Sequence, residues 1–87
     1  MIDISVTVKR KDGTEEIFPV YADTQIDFER WAKMSIAAAF DPASRPRMEN
    51  LYYLAWLAEK NSGKVVKAFD EWKKDIAGAS ADQDSPN

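Results

Sequence analysis

Ile2, Ile4, Val6 and Val8 alternate with Asp3, Ser5, Thr7 and Lys9, a period of two that predicts a strand with one apolar and one polar face. Lys11-Asp12-Gly13-Thr14 follows, and Asp-Gly is a strong hairpin-turn signal. The returning strand is expected from about Glu15 to Tyr21. Pro19 has no N–H to donate, which places this strand at an edge or near its own end. Residues 2–21 therefore read as a β-hairpin. A two-stranded hairpin is marginal in water on its own, so its apolar face needs a cover.

The period then lengthens. Phe28, Trp31, Ala32, Ser35, Ile36 and Ala39 recur at helical spacing and predict a helix from Asp23-Thr24 to about Phe40. Thr24 is the expected cap, with Asp27 three residues on and Glu29 adding negative charge near the helix N-terminus. Asp41-Pro42-Ala43-Ser44-Arg45-Pro46 ends the run, because Pro42 disfavours helical geometry at Asp41. A second helix is expected from near Pro46 to Asn61-Ser62-Gly63, where glycine can take the left-handed conformation. Leu51, Leu54, Ala55 and Ala58 share one face of it, while Tyr53 and Trp56 fall on roughly the opposite side. A helix apolar nearly all round is either central in its own domain or shared with a partner. A third helix is expected from about Lys67 to Ala77, with Val65, Phe69, Trp72 and Ile76 as its apolar stripe. From Gly78 to Asn87 there is little to bury, and disorder is expected. The predicted fold is α+β and mainly helical: an N-terminal β-hairpin and three α-helices in one domain over residues 1–77, then a disordered polar tail over 78–87.

Composition narrows the function classes. At 87 residues the domain has a thin core, which three Trp, three Tyr and four Phe help to fill. There is no Cys and no His, so the thiol nucleophile, the commonest general base and the best transition-metal ligands are missing. The net charge of −3 comes from 12 basic and 15 acidic groups, too even a balance to imply a nucleic-acid or membrane partner. No apolar run approaches the ~20 residues of a membrane span, and Met1 to Arg10 lacks the pattern of a signal peptide. A soluble cytosolic protein is the expectation.

Candidate chemistry is sparse. Glu15 and Glu16 are adjacent on a strand and point to opposite faces, so they do not converge. Asp70 and Glu71 sit beside Lys67, Lys73 and Lys74, as on a solvated helix surface. The three glycines are not clustered, so there is no phosphate-cradling loop. The helix–turn–helix spacing from Leu51 to Ile76 suggests DNA binding, but Asp70 and Glu71 would meet phosphates with the wrong sign. A non-enzymatic protein that binds other proteins, with no cofactor and no metal, is the reading these residues favour. The candidate partner-binding residues are Trp56 and Tyr53 on the second face of the central helix, then Trp31 and Trp72. An open hairpin edge is a second route to association.

The stretch Arg45-Pro46-Arg47-Met48-Glu49-Asn50-Leu51-Tyr52-Tyr53-Leu54-Ala55-Trp56-Leu57-Ala58, then Gly63 and Phe69-Asp70-Glu71-Trp72, resembles the tail assembly chaperones of long-tailed (siphovirus-type) bacteriophages. The strand with its Asp-Gly turn and the helix carrying Phe28-Glu29-Arg30 fit the same outline, so the resemblance spans most of residues 2–77. It implies a protein of the infected host's cytoplasm that binds the tape measure protein, a long helical client. Such a protein would keep the client soluble for tail tube assembly, self-associate, and be absent from the mature virion. A structural tail or connector protein, and less so a small DNA-binding regulator, are the alternatives.

Overall fold

The computed structural model describes residues 3–41, 43, 47–64 and 66–84. Strand β1 (Asp3–Arg10) and strand β2 (Glu15–Val20) form the expected hairpin, with Val6 opposite Phe18 and Val8 opposite Glu16. The Arg10 N–H donates to the Thr14 carbonyl at 2.9 Å and the Gly13 N–H to the Arg10 carbonyl at 3.0 Å. Gly13 closes this turn at φ 95°, where a side chain would be strained. The Asp12 carboxylate braces it, accepting from the Thr14 N–H at 2.9 Å and the Thr14 hydroxyl at 2.7 Å. Bonded and non-bonded pairs alternate along an antiparallel ladder. Counted from the turn, Pro19 opposite Ser5 falls at a non-bonded pair, so its nitrogen faces away from β1 and the ladder loses nothing.

The mixed α+β class is as expected, and the hairpin leads into helices, but two boundaries move. Helix α1 spans Ala22–Ala32 and stops at Lys33, which adopts the left-handed conformation at φ 59° and donates its N–H to the Glu29 carbonyl. Helix α2 (Ile36–Ala39) then restarts the chain. Ser35 caps it, accepting from the Ala38 N–H at 3.1 Å, and the Glu29 carboxylate takes the Ile36 N–H at 2.7 Å. Two short helices thus replace the single helix expected to Phe40. Thr24 is not the cap. It is 1% exposed, and its hydroxyl accepts from the Asn61 amide at 3.0 Å.

Helix α3 (Met48–Asn61) is the central element and touches all three strands. Gly63, at φ 97°, ends it in the expected left-handed turn. Pro42, Pro46 and Val65, to which sequence roles were given, lie outside the described residues.

The C-terminal third differs most. Helix α4 covers only Phe69–Trp72, a 3-10 turn covers Lys73–Asp75, and the chain then becomes strand β3 (Ile76–Asp84). β3 pairs antiparallel with the free edge of β1, giving the sheet order β2-β1-β3. The segment expected as the end of a helix plus a disordered tail is therefore part of the sheet as far as Asp84, and the boundary expected at residue 77 falls inside a strand. The physical reason is the edge of β1. Its backbone groups need partners, and β3 supplies them whatever its side-chain propensity.

One face of the sheet carries Val6, Val8, Phe18 and Val20 against Phe28 of α1 and Leu54, Ala55, Leu57 and Ala58 of α3, with Trp72 and Ile76 closing the core. Each large apolar side chain fully buried here contributes roughly 1.5–3 kcal/mol. The opposite sheet face meets solvent, with Ile17 exposed on it.

Candidate functional site

Helices α1 and α3 lie antiparallel. Asn61 at the end of α3 bonds Thr24 near the start of α1, while Trp31 at the end of α1 stacks on Tyr53 in α3. The stack is parallel, with ring centroids 3.9 Å apart and planes 5° from parallel. The sequence-derived candidates belong to one chain of ring contacts. Phe40 stacks on Phe28 and Phe28 tilts against Trp31. Tyr53 then meets Trp56 and Phe69, and Phe69 stacks on Trp72.

Burial divides the four candidates. Trp31 is 36% exposed, between Phe28 and Tyr53 in this ring chain. Tyr53 is half-buried, with one ring face covered by Trp31; burial pushes its phenol pKa above the ordinary value, and the Asp27 charge pushes in the same direction. Trp56 is half-buried and committed internally. Its indole N–H donates to the Lys67 carbonyl at 2.8 Å, tying the connection after α3 back onto the helix, and the Lys60 ammonium lies 5.0 Å from the ring centroid. Trp72 is 3% exposed, so its candidacy as a partner-binding residue is corrected: in the folded chain its ring has no surface to offer. The second apolar face of α3 is covered by α1 and by Phe69, not left open.

Of the large apolar side chains left exposed, Ile17 lies on β2 and Tyr21 and Ile26 at or near the start of α1, while Trp31, Met34 and Met48 fall towards the other end of the α1–α3 pair. Met34 follows α1 three residues after Trp31, and Met48 begins α3 about a turn before Tyr52 and Tyr53. Met34 is 46% exposed and Met48 61% exposed. The antiparallel packing brings these two methionines to the same end as the Trp31–Tyr53 stack. Flexible thioethers beside an exposed aromatic edge suit a surface that adapts to apolar side chains.

A polar cluster that the sequence reading missed sits at the other end. Glu59 of α3 is 3% exposed and accepts from the Trp72 indole N–H at 2.8 Å and from the Arg10 guanidinium. Arg10 also reaches Glu16 at 3.1 Å, and Glu16 pairs with Lys64. Burial works against the Arg10 charge, but the two carboxylates outweigh it and hold its pKa above the ordinary value. Hydrogen bonds from Lys64 and then Arg10 hold the Glu16 carboxyl below its ordinary value. The clue lay in spacing: Glu59 falls four residues after Ala55, on the buried face. Among the described residues, every buried side-chain nitrogen and oxygen has a partner. This cluster is therefore a satisfied clasp joining β1, β2, α3 and α4.

Among the described residues, no cluster of acidic side chains is placed to hold a metal ion, and no helix is long and apolar enough to cross a membrane. No protein-family model matches the chain, and neither a curated protein nor a solved structure matches it.

Proposed function

We propose that this protein binds a helical segment of another protein at the exposed end of the α1–α3 pair, and that it serves as a bacteriophage tail assembly chaperone for the tape measure protein. The observation that carries the binding reading is that Trp31, Met34 and Met48 stay exposed towards the end of the α1–α3 pair that holds the Trp31–Tyr53 stack. An amphipathic client helix would lay its apolar stripe across them, with no catalytic group or cofactor involved. The resemblance of Arg45 to Ala58 and Phe69 to Trp72 supplies the specific client and the setting in the host cytoplasm during infection. Trp56 and Trp72 hold the fold in this reading, and Trp31 and Tyr53 meet the client.

The test is co-expression with a tape measure fragment. The wild-type chain is expected to keep the fragment soluble and co-purify with it. Met34→Ser combined with Met48→Ser, at the two more exposed positions, is expected to melt like wild type yet lose the fragment. If the wild-type chain neither solubilises nor retains it, the chaperone reading fails. A second reading, a structural tail or connector protein, draws on the sheet edge of β3, and abundance of the chain in purified virions would select it.

A further inference from the structure

Strand β3 is fastened unevenly. At its near end Ile76 is 7% exposed in the core, and the Lys11 N–H donates to the Asp75 carbonyl at 2.9 Å. Four residues earlier Trp72 is locked to Glu59. Beyond Ile76 the described side chains, Ala77 to Ala81, contribute little. Ala79 is only partly buried and Ala81 is exposed, although Val8 and Val6 opposite them on β1 are fully buried. Ile4 stays half-buried, while its neighbour across the hairpin, Val20, is 5% exposed. The position facing Ile4 on β3 is Gln83. Val6 and Val8 are already covered by the rest of the core, so the apolar surface that β1 leaves open lies at Ile4, at the far end of the strand. Past the anchored near end, the described side chains from Ala77 to Ala81 bury no large apolar group, and this stretch is held chiefly by its backbone pairing with β1.

We infer that β1 is a strand-acceptor site, filled in the free protein by its own β3 and opened to an extended partner segment when the far part of β3 peels away. The clasp at Trp72 and Glu59 sets where peeling stops, so the rest of the fold survives it. The partner chemistry follows from the register: an antiparallel strand with β-branched apolar residues at the positions that Ala79, Ala81 and Gln83 hold, facing Val8, Val6 and Ile4. This site is separate from the α1–α3 end, so a client helix and a partner strand can be tested independently.

The probe is a synthetic peptide of residues 78–84 carrying Ala79→Val, Ala81→Val and Gln83→Val, added to the full chain. It is expected to bind at least about tenfold more tightly than the unsubstituted peptide, because each larger residue buries more apolar surface. Binding should speed hydrogen exchange at the chain's own Ser80 and Asp82 amides, which face β1 at bonded pairs, while those of β1 stay protected. A Thr7→Cys/Ser80→Cys variant joins register partners on the outer sheet face; oxidised it should lose peptide binding, and reduced it should regain it. Two results overturn the inference: no binding of the substituted peptide to the wild-type chain, or equal binding to the oxidised and reduced variant.

Discussion

The two strands that flank β1 solve the same problem in opposite ways. β2 sinks Phe18 and Val20 into the core and turns its outer edge to solvent with Pro19, which cannot donate there. Among its described side chains β3 sinks Ile76 and continues through Gly78, Ala79, Ser80 and Ala81, none of them buried. The hydrogen-bond ladder is comparable on both sides of β1, so side-chain burial makes the difference. A strand with two large anchors unfolds with the whole domain, whereas one held at a single end can leave on its own.

Several substitutions would break or sharpen that contrast. The largest loss is expected from Glu59→Ala, which leaves the Arg10 charge and the Trp72 N–H without their buried partner and releases both flanking strands from the clasp. About 3–5 kcal/mol is expected, read as a lower urea midpoint. Phe18→Ala should cost about 3 kcal/mol and act on the global transition. Ile76→Ala should cost about 2 kcal/mol and, unlike Phe18→Ala, raise hydrogen exchange along β3 before the global transition begins. Equal and wholly global effects of those two variants would erase the distinction. The smallest effect is expected from acid. Lys64 and Arg10 depress the Glu16 pKa in the folded chain, so its contribution is present above the unfolded value of about 4.3 and is lost as pH falls through the lower folded value. Thermal melts between pH 6 and 3 should show that decline. In Glu16→Gln the slope should flatten.

The legible parts of the fold were those with local causes. The hairpin follows from alternation in residues 2–8 and an Asp-Gly turn, and α3 follows from its apolar density and the Gly63 stop. The break at Lys33 carried no glycine or proline; its signal was Ser35 three residues before Ala38, a capping arrangement hidden within a run of correct helical spacing. β3 could not be read from Gly78-Ala79-Ser80-Ala81, because neither propensity nor alternation marks it, and only the unpaired edge of a distant strand makes it one. The aromatic candidates were legible as a group, but their exposure was not. Whether Trp56 and Trp72 face water depends on where α1 and Phe69 pack, and no local pattern encodes that.

Pro19 also bears on how far sheets of this protein can grow. In the language of polymer chemistry, a monomer needs two reactive ends to make a chain and only one to make a pair. With β2's outward face blunted at Pro19, edge-to-edge addition is confined to the β3 side, so the molecule is monofunctional in that respect. Sheet-mediated association then stops at two molecules joined edge to edge, and a continuous ribbon has no second end from which to extend.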